Sequence, residues 1–112
     1  MAGKFELKAT ANGKFVFNLK AGNGEIILSS QMYKAAEYAK KGIASVKKNA
    51  ADRARFEIKD AANGEVFFVL KAANAQIIGK SETYPTKVIA EKGIASVMKN
   101  APEAVIVDQT EA

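Results

Sequence analysis

Two phrases in this chain are nearly the same sentence. KGIASVKKNA runs from Lys41 to Ala50 and KGIASVMKNA from Lys92 to Ala101, and they differ only at Lys47 and Met98. The likeness extends backwards without a gap. Phe5–Ala50 lies over Phe56–Ala101 at a constant offset, and about half of the aligned pairs are identical. An internal duplication constrains the fold more than any composition does. Two copies are fewer than the roughly three units a solenoid needs. They are the right number to pair about a pseudo-two-fold axis, as identical subunits pair in a dimer.

Each copy reads alike. Phe5-Glu6-Leu7-Lys8 alternates apolar and polar, the pattern of a half-buried strand. Asn12-Gly13 follows, with Asn63-Gly64 in the second copy, and this pair predicts a type I′ hairpin. The return strand, Lys14–Lys20, puts Phe15, Phe17 and Leu19 on one face; Val66, Phe68 and Leu70 take those places in copy two. Asn23-Gly24 marks another turn before a third strand, Glu25–Leu28. Copy two has Asn74-Ala75 there, so that turn does not strictly require glycine.

Helices are expected over about Lys34–Lys48 and Thr86–Lys99, with Pro85 in the first turn of the second. Ala36, Ala39, Ile43 and Val46 form the core-facing stripe. Glu37 with Lys41, and Lys87 with Glu91, are spaced to pair along the outer face. Asn49 and Asn100 suit left-handed helix ends. Residues 104–108 add a last strand. The expectation is one compact α+β domain over residues 1–112. Repeat one spans 5–50 and repeat two 56–101, giving one largely antiparallel sheet with two helices on one face.

The twin segments NGKFVFNLKAGNGEIIL and GIASVKKNA, with SSQMY and SETYP between strand and helix, resemble the YegP-like family of small bacterial and archaeal domains of unknown function. The resemblance covers nearly the whole chain. It implies two βββαβ units sharing one sheet, with exchanged C-terminal strands and helices on one face. It implies no activity, cofactor or catalytic residue. Two departures stand out: Ala75 replaces the turn glycine, and Ala54-Arg55-Phe56 stands where Val105-Ile106-Val107 closes the second unit.

The chain lacks histidine and cysteine. This removes the commonest general base, the usual zinc ligands and the Ser–His and Cys–His nucleophile pairs. The acids are scattered, so no metal or cofactor is implied and no enzyme is expected. No apolar run approaches the roughly 20 residues of a membrane span, and the first residues lack the apolar core of a signal peptide. A cytoplasmic monomer is expected. The net charge of +5 is uneven: residues 1–50 carry nine lysines against three glutamates, and residues 51–112 carry eight cations against nine acids.

Four candidate surfaces follow. Beside the core stripe runs a second one, Tyr38, Gly42, Ser45 and Asn49, matched by Ile89, Gly93, Ser96 and Asn100. It reads either as a polar notch for a peptide or small ligand, or as a close-packing stripe. Packing is favoured, because a mid-helix glycine costs about 1 kcal/mol that a neighbouring backbone packed against Gly42 can repay. Lys34, Lys40, Lys41, Lys47 and Lys48 form a basic face with Lys14 and Lys20. This face would meet nucleic acid or another polyanion, but lacks stacking aromatics, and a solvated face is favoured. Ser30 with Tyr33, and Ser81 with Tyr84, line a junction that reads as structure. Sheet edges could add a peptide strand. The function expected is a non-catalytic binding or interaction module, its partner a protein or peptide; the alternatives are weak nucleic-acid or polyanion binding through the basic first repeat and an enzyme with an unconventional site.

Overall fold

A computed structural model of the protein describes residues 3–110. Strands β1 (Lys4–Ala9), β2 (Phe15–Lys20) and β3 (Ile26–Ser29) precede helix α1 (Ala36–Asn49). Strands β4 (Phe56–Asp60), β5 (Val66–Lys71) and β6 (Ile77–Lys80) precede α2 (Lys87–Asn100), and β7 (Val105–Asp108) ends the series. The seven strands form one sheet in the order β4-β5-β6-β3-β2-β1-β7. Every pairing is antiparallel except that of β7, which lies parallel to β1. The strand that closes the second repeat is therefore carried across to the first.

The repeats meet at β3 and β6, where Ser29 pairs with Lys80. These two residues are equivalents in the duplication, so the pseudo-two-fold axis passes between them. Leu28 and Gly79 are also equivalents, and there the copies must differ: a Cβ on Gly79 would lie 2.6 Å from Leu28 Cδ2. Two leucines would collide across the axis.

Both helices pack on the face that carries Phe5, Leu7, Phe17, Leu19, Phe68 and Leu70, all of them fully buried. α1 contributes Ala39, Ile43 and Val46, and α2 contributes Ala90, Ile94 and Val97. The expected core stripe is present, although Ala36 at its start is only half-buried. The helices begin later than the periodicity suggests, because Tyr33 and Tyr84 are held extended as isolated bridges to Phe15 and Val66. Thr86 caps α2 by accepting from the Ile89 N–H at 3.3 Å, so Pro85 lies before the cap and not in the first turn. Asn49 and Asn100 are the last helical residues, and the residues that follow them, Ala50 and Ala101, are right-handed. The left-handed role expected of the asparagines is not taken, because the chain leads directly into a further turn. Of the expected helix pairs, Glu91 turns instead to Arg53, 2.8 Å away, and Lys41 lies over the Tyr38 ring.

The hairpins share one turn, and it is not type I′. At Thr10–Lys14 the Gly13 N–H donates to the Thr10 carbonyl, and only Gly13 has positive φ. This is a three-residue loop, a type I turn closed by a left-handed residue. It recurs at Ala21–Glu25, Ala61–Glu65 and Ala72–Gln76. In the last three the middle asparagine accepts the N–H two residues on, at 3.1 Å. Ala75 holds the left-handed place at φ 69°, as Gly24 does at φ 86°.

A layer of aromatic rings ties each helix to its sheet. Phe5 meets Phe17 edge-on, and Phe17 stacks on Tyr33 with centroids 6.1 Å apart. Phe56, Phe68 and Tyr84 repeat the arrangement. The tyrosine hydroxyl reaches the helix at its glycine. A Cβ on Gly42 would overlap Tyr33 Oη, and one on Gly93 would lie 2.8 Å from Tyr84 Oη.

Two outcomes are expected. Ala75→Gly removes a left-handed alanine that costs about 1–2 kcal/mol, partly offset by the greater freedom of glycine in the unfolded chain. Thermal melts should show Tm rising by roughly 2–4 °C, and a fall would contradict the strain. Gly42→Ala should lower Tm by at least about 4 °C, since overpacking of about 1–3 kcal/mol outweighs the gain in helix propensity. Adding Tyr33→Phe should restore much of the loss. Unchanged melting in both Gly42→Ala and Gly93→Ala would remove the close-packing account.

Candidate functional site

The pseudo-two-fold axis carries a cleft of about 480 Å³. Its lining comes from equivalent positions of the two repeats. Ile26 and Ile77 form apolar walls, 43% and 44% exposed. Leu28 and Gly79 lie at the seam, with Ser29 and Lys80 on the axis itself. Gln31 and Glu82 complete the rim. β3 and β6 each carry an irregularity, between the partners of Leu19 and Lys20 and of Leu70 and Lys71. Because the register slips there, Ile26 is set opposite Lys20 while Ile27 and Leu28 both bury. The slip is what leaves one isoleucine of each doublet outside the core. This cleft is not among the surfaces expected from the sequence. Its signal was the repeated Ile-Ile doublet, which breaks strict alternation at the same place in both copies.

Two further cleft residues, Ser30 and Ser81, have their hydroxyls committed. Ser30 Oγ accepts the Phe17 N–H at 2.9 Å and donates to the Gln31 carbonyl at 2.8 Å. Ser81 Oγ does the same with Phe68 and Glu82. Each serine stands in for a backbone group where strand pairing lapses, rather than capping a helix. Burial raises the phenol pKa values of Tyr33 and Tyr84, and the Glu82 and Glu25 charges add to the effect at Tyr84. Neither phenol is poised to ionise near neutral pH.

The helix stripe is placed as follows. Gly42 is buried beneath Tyr33 and Phe17, and Gly93, half-buried, lies beneath Tyr84 and Phe68. The Asn49 Nδ2 donates to the Ser45 carbonyl at 2.8 Å and to Ser45 Oγ at 3.2 Å. Asn100 treats Ser96 identically. Ser45 and Asn49 also line a shallower cleft against Ala72–Asn74, the β5–β6 turn of the other repeat. Tyr38 and Ile89 are exposed. The stripe therefore divides into a packed middle, an internally bonded end and an open start.

The basic face is engaged within the molecule only in part: Lys14, Lys34 and Lys48 are exposed and make no ion pair among the described residues. Lys20 Nζ lies 2.9 Å from the buried Glu6 carboxylate, with Lys4 and Lys8 each at 3.6 Å. The hydrogen bond from Lys20 holds the Glu6 carboxyl below the usual carboxylate range, against the opposing effect of burial. Lys40 meets Asp108 of β7 at 3.4 Å. Lys47 lies over the Phe5 ring, 6.0 Å from its centroid, whereas its counterpart Met98 packs against the core. Among the described residues, no group of three acids could hold a metal ion, and no helix is long and apolar enough to cross a membrane.

This geometry has counterparts. A family described as a domain of unknown function (DUF1508) matches the chain twice, at residues 11–57 and 61–108. The UPF0339 protein YegP of Yersinia pestis is 51% identical over 108 residues, which is 96% of each chain. The solution NMR structure of yegP from E. coli, titled a protein of unknown function, superposes with a TM-score of 0.93 at 49% identity, covering 100% of this chain and 97% of that one. The solution NMR structure of UPF0339 protein SO3888 from Shewanella oneidensis gives a TM-score of 0.91 at 44% identity, covering 98% and 93%. The duplicated sequence, the exchanged strand and the shared seven-stranded sheet all agree: the chain belongs to the YegP-like family of tandem DUF1508 proteins.

Proposed function

We propose that the protein is a small non-catalytic binding module that takes an apolar peptide segment in the cleft on its pseudo-two-fold axis. One observation carries this reading. Ile26 and Ile77 stand 43% and 44% exposed in the same concavity, on strands whose other large apolar side chains are mostly covered. Concave, mostly apolar surfaces with a few polar groups at the rim are the usual form of a binding site. The Ser30 and Ser81 hydroxyls of the cleft are both committed to backbone groups, which favours binding over chemistry at those two residues. The reading includes a monomer at work in the cytoplasm, since the seam between the halves is satisfied within one chain. A polyanion role through the first repeat draws less support, because Lys20 and Lys40 are held in ion pairs.

Peptide display against the full chain, followed by NMR titration, tests this. Selected sequences should be apolar and should shift the amides of residues 26–31 and 77–82. Replacing both isoleucines, Ile26→Lys with Ile77→Lys, should weaken binding at least about tenfold, the worth of roughly one buried aliphatic side chain. Its Tm should stay within a few degrees, since both side chains face solvent. Peptides that map elsewhere, or binding indifferent to the double substitution, would overturn the reading.

A further inference from the structure

The two ends of the sheet are not equivalent. At one end β1 is covered by β7, in the register Phe5–Ile106, Glu6–Val107 and Leu7–Asp108. The Gln109 N–H donates to the Leu7 carbonyl at 2.8 Å, and Lys40 of α1 holds Asp108 at 3.4 Å. At the other end β4 pairs with β5 alone among the described residues. The duplication explains the vacancy. The counterpart of β7 is residues 54–57, and that stretch is already spent on entering β4.

The vacant edge is held by one side chain. Arg53 Nη1 donates to the Phe56 carbonyl at 3.3 Å. The equivalent residue on β1 is Phe5, which faces Ile106 of β7. The rest of the guanidinium grips Glu91, with Nη2 2.8 Å from both carboxylate oxygens and Nε 3.2 Å from one. Glu91 occupies the position in α2 that Lys40 occupies in α1. The charge on the helix is thus reversed between the two ends. Over the covered edge a helix cation meets a strand anion, and over the vacant edge a helix anion meets a cation lent from the preceding turn. Arg53 stands where, among the described residues, no strand pairs with β4.

We propose that the outer edge of β4 binds an extended segment of a partner protein, parallel to β4, with an apolar side chain opposite Phe56 and a lysine or arginine opposite Ile58 that displaces Arg53 from Glu91. Charge selects this occupant. The β7 strand of a second copy would bring Asp108 against Glu91, so self-association through this edge is opposed. Displacement costs little, because Arg53 and Glu91 are both about half exposed and such pairs contribute weakly. Main-chain hydrogen bonds supply affinity and the alternate side chains supply specificity, as in other strand additions.

Two synthetic peptides test this on the full chain by NMR titration: AVIVDQT, the native β7 segment, and AVIVKQT, its charge-reversed form. AVIVKQT should bind the wild-type chain, shift the amides of residues 56–60 and outbind AVIVDQT by about tenfold. Arg53→Ala should tighten AVIVKQT binding two- to fivefold, the range set by removing one exposed competing ion pair. Glu91→Lys should invert the preference, and Glu91→Gln should abolish it while leaving the fold intact. If neither peptide binds the wild type or Arg53→Ala, Arg53 only guards the edge and the proposal fails. It also fails if binding shows no charge preference, or if the shifts fall on residues 4–9 or on the axial cleft instead.

Discussion

Everything in this molecule depends on how β3 and β6 are joined. Each repeat alone is a three-stranded sheet with a helix on one face, and its third strand would be a bare edge. Unpaired edges of that kind template association. Here the two edges satisfy each other at Ser29 and Lys80, equivalents facing one another across the axis. The join also forces the copies to diverge. A leucine fits on one side only because its equivalent is glycine, and the lysine faces a serine and not a second lysine. The axial cleft is a by-product of the same join, since the register slips in β3 and β6 leave Ile26 and Ile77 beside it.

A second constraint acts from helix to sheet. Tyr33 and Tyr84 are each pinned to a strand by two backbone hydrogen bonds, and each lays its ring on a core phenylalanine. The phenol then occupies space that only a glycine on the helix leaves free. This links the twin motifs SSQMY and SETYP to the glycine of KGIAS. The residues lie nine positions apart in sequence and touch in space. This arrangement is the same in both halves, whereas the outer ends of the molecule differ, with Lys40 and Asp108 at one end and Arg53 and Glu91 at the other.

Much of this was legible beforehand. The constant offset disclosed the two units, the alternating phenylalanines and leucines disclosed the strands, and the helical stripe disclosed the core. Hairpin type was misread because Asn-Gly supports two geometries, and the choice rests on whether the asparagine or only its successor turns left-handed. Helix starts were misplaced because the strand-like pinning of Tyr33 and Tyr84 is made with residues 18 positions earlier, beyond any local pattern. Glu91 was assigned a helix neighbour, and it took instead a guanidinium 38 residues away in sequence. The helix stripe was expected to pack its glycine against a neighbouring backbone, but what meets the glycine is a tyrosine side chain, a contact not visible from spacing.

By itself the sequence determined that there are two like units, what each is made of, and which catalytic chemistries its residues cannot supply. These follow from periodicity, turn chemistry and residue type, all of which are local. Tertiary structure decided the rest: that β7 crosses to β1, that β4 is left open, that Ser29 and Lys80 meet on the axis, and that a cleft forms there. Those outcomes depend on which edges come together, and edge pairing is made by backbone groups that every residue except proline carries alike. A chain can therefore spell out its strands plainly and still leave their neighbours unspecified until the sheet is assembled.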